Sequence, residues 1–115
     1  MHTLVYGIIN GPDRKPYTGA IVKFSLNNSF SKGGMYFHTH EIRVTTNKYG
    51  IFEVDLPPST WDLTGENFYN MTVILDNIVF RKVIVPENPE GVNFSDLEEY
   101  KYPYERPDYI GANFD

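Results

Sequence analysis

The chain contains no cysteine, so disulfides, thiolate chemistry and cysteine-based metal sites play no part in its fold or function. Its longest apolar stretches span only a few residues, well short of the roughly 20 needed for a membrane-crossing helix. Alanine is scarce, and no segment of helical length repeats apolar residues at a helical period, which argues against a bundle. Basic charge is in deficit: ten Lys and Arg stand against fifteen Asp and Glu, a formal net charge of −5. Nonspecific nucleic-acid binding through a basic surface is therefore not expected. The opening residues, Met1-His2-Thr3-Leu4-Val5, run straight into a strand pattern. They lack the charged, apolar and small-residue regions of a signal peptide. The expectation is a protein made in the cytoplasm, with no membrane partner.

What is present favours sheets. The 115 residues fit one domain. Aromatics reach 16 %, with nine tyrosines and eight phenylalanines, residues that suit pleated, half-buried surfaces. Nine glycines and eight prolines imply frequent turns. Leu4 to Ile9 reads as a first strand. After the turn Gly11-Pro12-Asp13-Arg14-Lys15-Pro16, the second runs from Ala20 to Leu26. Ala20, Val22, Phe24 and Leu26 share its apolar face, a period of two. Asn27 to Gly34 has the composition of a loop, in which Phe30 is expected to cap the core.

Met35 to Thr46 reads as one long strand with Ile42 and Val44 inward. Asn47-Lys48-Tyr49-Gly50 is a hairpin turn, and Ile51 to Leu56 returns with Phe52, Val54 and Leu56 toward the core. Pro57-Pro58 ends that strand. Ser59 to Asn67 can form one helical turn capped by Ser59 or Thr60, with Trp61 and Leu63 packing over an open end. Tyr69 to Leu75 and Ile78 to Val85 form a hairpin across Asp76-Asn77, and Val92-Asn93-Phe94 is a last short strand. This spacing predicts an all-β, antiparallel Ig-like or prealbumin-like sandwich of about seven strands. It would occupy residues 1–95, with an extended C-terminal arm over 96–115.

The run Gly7, Pro12-Asp13, Gly19-Ala20-Ile21-Val22-Lys23-Phe24, then Thr45-Thr46-Asn47-Lys48-Tyr49-Gly50-Ile51-Phe52-Glu53-Val54-Asp55-Leu56-Pro57 is similar to the carboxypeptidase-regulatory-like, or transthyretin (prealbumin)-like, domain. Tyr69-Asn70-Met71-Thr72-Val73 and Val85-Pro86 extend the likeness. A narrower set, Leu56-Pro57-Pro58-Ser59, Asn67-Phe68-Tyr69, Val83-Ile84-Val85-Pro86 and Val92-Asn93-Phe94-Ser95-Asp96-Leu97, resembles small domains of bacteriophage tail, fibre and head proteins. That resemblance implies a virion structural role, in which the chain decorates or cements a head or adapts parts of a tail.

Chemistry-bearing clusters are few. His38 and His40 share a strand face and could reach one metal, but a third ligand is missing. Ile42 and Val44 have the same parity, so a bulge or sheet edge is needed to keep the imidazoles wet. Glu53 and Asp55 alternate with core residues and so belong to the solvent face. Asp13 and Asp76-Asn77 could offer oxygens to calcium, yet no spaced acidic loop is present. No Gly-x-Ser-x-Gly turn or phosphate-cradling glycine loop occurs. No catalytic residue, cofactor or metal is expected.

The C-terminal stretch is more distinctive. From Asp96 onward, six acids face Lys101 and Arg106, and acidic segments of this kind often act as interaction tails. Pro103 and Pro107 favour extended geometry. Tyrosine provides large contact area with a polar tip. Tyr100, Tyr102, Tyr104, Tyr109, Ile110 and Phe114 are the expected partner-binding residues. The leading expectation is a non-enzymatic virion accessory protein, multimeric on its assembly, gripping capsid or tail subunits through sandwich and arm. The alternative is a carbohydrate- or cell-surface-binding module, with Trp61, Tyr36, Tyr49 and Phe30 stacking on sugars. A metalloprotein using His38 and His40 is the third class.

Overall fold

A computed structural model describes residues 2–101. In chain order its strands are β1 (Thr3–Ile8), β2 (Ile21–Leu26), β3 (Phe30–Lys32), β4 (Met35–Phe37), β5 (Ile42–Thr45), β6 (Ile51–Leu56), β7 (Tyr69–Ile74), β8 (Ile78–Ile84), β9 (Val92–Asn93) and β10 (Glu98–Glu99). Single 3₁₀ turns occupy Ser59–Trp61 and Phe94–Asp96. One sheet has the order β6-β1-β9, the other β10-β8-β7-β2-β5, and β3-β4 form a separate hairpin. The two sheets enclose one core, so the protein is an all-β sandwich.

Period-two alternation places the core. β1, β2, β6 and β7 each bury every second residue. Val5, Val22, Phe24 and Leu56 are fully enclosed, with Phe52, Tyr69 and Met71 nearly so. Each such aliphatic or aromatic side chain contributes about 1.5–3 kcal/mol by leaving water. Tyr69 also brings its hydroxyl inside, where it donates to Pro57 O at 2.6 Å; burial pushes its ionisation well above the ordinary tyrosine range.

Buried polar groups lock the connections. Thr46 Oγ1 accepts from Ala20 N and donates to Tyr17 O. Asn67, 4 % exposed, bonds Asn28 through both its amide nitrogen and its oxygen, and reaches Asp62 and Phe68 N as well. Thr3 Oγ1 donates to Pro86 O at 2.7 Å and accepts from Asn88 N at 3.0 Å. Gly7 makes room for the ring of Phe94: a Cβ there would lie 2.2 Å from Phe94 Cδ1. The Asn47–Gly50 turn has the expected form, with Gly50 at φ +74° and Asn47 Oδ1 accepting from Tyr49 N and Ile51 N.

Several sequence expectations are corrected. The stretch read as a loop from Asn27 to Gly34 contains β3, which returns as β4 across Gly33-Gly34, both at positive φ. Phe30 is buried as expected and stacks on Phe37 at 4.9 Å. The single strand expected from Met35 to Thr46 is broken: β4 ends at Phe37 and β5 begins at Ile42. The helical turn is confined to Ser59–Trp61, with Pro58 at its N-cap and no side-chain cap. Ser59 instead uses its hydroxyl on Val85, accepting from its N at 3.0 Å. Trp61 is buried, whereas Leu63 is 95 % exposed because the turn ends before it. β1 and β9 run parallel, so the smaller sheet is mixed.

The body also continues past the expected boundary at Ser95. Leu97 is 4 % exposed within the core cluster. Glu98 and Glu99 pair antiparallel with Ile84 and Val83 of β8, and Tyr100 N donates to Lys82 O at 2.9 Å.

Candidate docking surfaces

The last described residues are clamped to the body. Tyr100 is half-buried, and its ring stacks on Phe68 with centroids 4.3 Å apart and planes 21° apart. Phe68 is 1 % exposed yet lies outside the main core cluster. Tyr100 covers one face of its ring, and Lys82 Nζ lies 5.7 Å from the ring centre. Tyr100 is therefore committed to its own body. Tyr102, Tyr104, Tyr109, Ile110 and Phe114 lie outside the described residues.

Beside this clamp, β8 shows an apolar run. Ile78, Val79 and Phe80 are 67, 43 and 56 % exposed. Val79 lies opposite Val73 on the core-facing side, while Ile78 and Phe80 share the outer face with Ile74 and Thr72. β10 pairs only with the far end of β8. Among the described residues, no strand covers the edge from Ile78 to Arg81. Sequence reasoning took this run as the return strand of a hairpin. The available signal was three consecutive apolar residues in a strand with only one face toward the core.

A second patch lies on the outer face of the smaller sheet. Leu4, Tyr6 and Ile8 alternate along β1, and Ile51 sits opposite Ile8 on β6. All four are more than a third exposed. Glu53 and Asp55 lie on this face opposite Tyr6 and Leu4, on the solvent side as their alternation required. The patch is thus an aliphatic strip bordered by carboxylates.

The remaining candidates disperse. His38 and His40 occupy the break between β4 and β5, both exposed, their rings stacked at 5.0 Å. The break removes the conflict with the inward parity of Ile42 and Val44. His2 packs edge-on against Trp61 instead. Among the described residues, no three His, Asp or Glu side chains gather to hold a metal ion. Asp13 and Asp76 do share an open cleft of about 390 Å³ with Tyr17. There Tyr17 Oη donates to Asp76 Oδ1 at 3.4 Å, and Asp13 Oδ1 accepts from Lys15 N. Two carboxylates fall short of the six to eight oxygens that calcium takes. Of the four aromatic platforms expected for a sugar, Phe30 and Trp61 are buried, while Tyr36 and Tyr49 are exposed. Trp61 is covered by Phe37, with Lys32 Nζ 4.8 Å over its ring. No helix among the described residues is long and apolar enough to cross a membrane.

Among the described residues, the arrangement is an all-β sandwich whose segment Leu97–Tyr100 is held against the body, with two exposed apolar surfaces. No protein-family model matches the chain, and a search of curated proteins finds no similar one.

Proposed function

We propose that this chain is a non-enzymatic structural accessory protein of a virion, attaching to head or tail subunits through its sandwich and C-terminal arm. The observation that carries the reading is the clamp at the arm's root. Leu97 in the core, β10 on β8 and Tyr100 on Phe68 fix the chain just before residues 102–115. A fixed root lowers the entropy lost when an arm binds. The arm carries Tyr102, Tyr104, Tyr109, Ile110 and Phe114, side chains suited to burial between proteins. The strip of Leu4, Tyr6, Ile8 and Ile51 is a further surface for a neighbouring subunit. Many copies on a symmetric particle would add weak contacts into firm attachment. The virion setting rests on the resemblance of the Leu56–Ser59, Val83–Pro86 and Val92–Leu97 segments to phage structural domains. The glycan alternative has Phe30 and Trp61 in the core and is not adopted.

Gradient-purified particles from cells producing the protein test this reading. The full chain should sediment with virions, and a chain ending at Lys101 should remain at the top of the gradient. A full chain that never enters the particle fraction would remove the proposal.

A further inference from the structure

We infer that the cleft between β9 of the smaller sheet and β10 of the larger one is a docking site for an arginine side chain of a partner protein. The inference rests on the cleft itself and does not depend on the virion reading.

The chain builds this cleft where it crosses from one sheet to the other. β9 ends at Asn93, the 3₁₀ turn Phe94–Asp96 makes the crossing, and β10 starts at Glu98. Val92 and Ile84 contribute apolar wall from the two sides, with Pro86 beside them and the 4 %-exposed Leu97 between. These walls are held from behind. Ser59 Oγ accepts from Val85 N at 3.0 Å, and Thr3 Oγ1 donates to Pro86 O at 2.7 Å. Glu98 is paired opposite Ile84. A cleft already formed loses little order when it is filled, which favours binding. Its volume is about 260 Å³, below the roughly 300–1,000 Å³ of pockets that enclose a small-molecule ligand. One long side chain is the better match in size.

The chemistry of the lining selects a cation with an apolar stem. Beside the aliphatic wall stand Asp96, Glu98 and the hydroxyl-bearing Thr60, all three exposed. Among the described residues the ion pairs join Glu41 to Lys23 and to Arg43, and neither Asp96 nor Glu98 takes part in one. An apolar trough with two uncompensated carboxylates complements a side chain that lays methylenes on apolar surface and keeps its charge at the polar end. Lysine and arginine both have that form. Arginine fits better here: its planar fork offers five donors to two carboxylates and a hydroxyl, and its guanidinium is more weakly hydrated than an ammonium. Arginine is also enriched at protein interfaces. The chain's net charge of −5 adds a field that draws a basic partner toward the site.

Titration of the isotope-labelled full chain with the capped tripeptide Gly-Arg-Gly, followed by NMR, tests the assignment. The amides of Val92, Leu97 and Glu98 should shift together and saturate with a Kd on the order of 1–10 mM, the strength open to a single side chain. The same tripeptide with citrulline in place of arginine keeps the shape and loses the charge, and it should bind about tenfold more weakly or less. Asp96→Asn with Glu98→Gln should weaken the arginine peptide by about fivefold or more. Tm should move little in that variant, since both side chains are exposed and surface changes are usually small in effect. Equal binding of the citrulline peptide would overturn the inference, because the carboxylates would then play no part. Shifts confined to Asp96 and Glu98, with Val92 and Leu97 unmoved, would reduce the effect to ion pairing on open surface and overturn it equally. A full chain in which the peptide shifts none of these amides also overturns it. None of these results touches particle attachment, which the sedimentation experiment reads separately.

Discussion

Replacing Leu97 by alanine probes where the folded body ends. Leu97 is 4 % exposed and belongs to the same apolar cluster as Val83 and Val85. Truncating a buried leucine to alanine costs about 2–5 kcal/mol. Leu97 lines a surface cleft with Thr60, Ile84 and Pro86, where neighbours can close over a void, so the lower part of that range applies, about 2–3 kcal/mol. For a domain of this size each kcal/mol moves the midpoint by roughly 4–8 °C, so Tm should fall by about 10–20 °C. Trp61 is the only tryptophan and is buried, so its fluorescence, beside far-UV circular dichroism, reports the transition. The two probes should coincide, and the urea m-value should stay unchanged because the same surface opens. An L97A variant melting at the parent midpoint would mean that the body stops at Ser95 and that the clamp on the arm does not exist in solution.

Tyr100→Ala should lower stability by about 1 kcal/mol, since stacking alone is worth roughly 0.5–1.5 kcal/mol; paired urea midpoints measure it. Asn67→Ala removes hydrogen bonds to Asn28, Asp62 and Phe68 and strands buried backbone groups, for a loss of about 2 kcal/mol or more by the same assay. Gly7→Ala drives a methyl into the Phe94 ring and should destabilise by about 1–3 kcal/mol; combining it with Phe94→Ala should recover part of the loss in a double-mutant cycle. Leu4→Lys with Ile8→Lys leaves the core untouched, so Tm should change little, while co-sedimentation with particles should weaken if the smaller sheet's outer face docks there.

The strand faces were legible wherever one side of a strand is buried and the other wet. Ala20, Val22, Phe24 and Leu26, or Phe52, Val54 and Leu56, announce their side by alternation, and the turn at Asn47–Gly50 carries its own chemistry. The β3–β4 hairpin was hidden because Gly33-Gly34, a two-residue turn needing positive φ at both positions, looks like loop composition when flanked by Ser31, Lys32 and Met35. β10 was illegible for a different reason. Glu98 and Glu99 have no strand preference of their own; their pairing follows from Leu97 finding the core and from the register of β8, a tertiary decision that overrides local propensity. The arm's tyrosines were visible as a composition, but the clamping of Tyr100 depends on Phe68, far away in the chain. The open run Ile78-Val79-Phe80 was visible as apolar, and only the sheet order revealed that its edge lacks a described partner.

The position of β1 between β6 and β9 bears on how the molecule is made. Its neighbours are Ile51–Leu56 and Val92–Asn93, both far along the chain, and its first residue is tied to Pro86 and Asn88. The smaller sheet therefore cannot close until the chain through Asn93 has emerged, and loop-closure entropy makes such distant pairings slow. During that interval the alternating apolar residues of β1 are available to other nascent chains. Crowding or rapid overproduction should then yield insoluble material, and slower synthesis at lower temperature should raise the soluble yield.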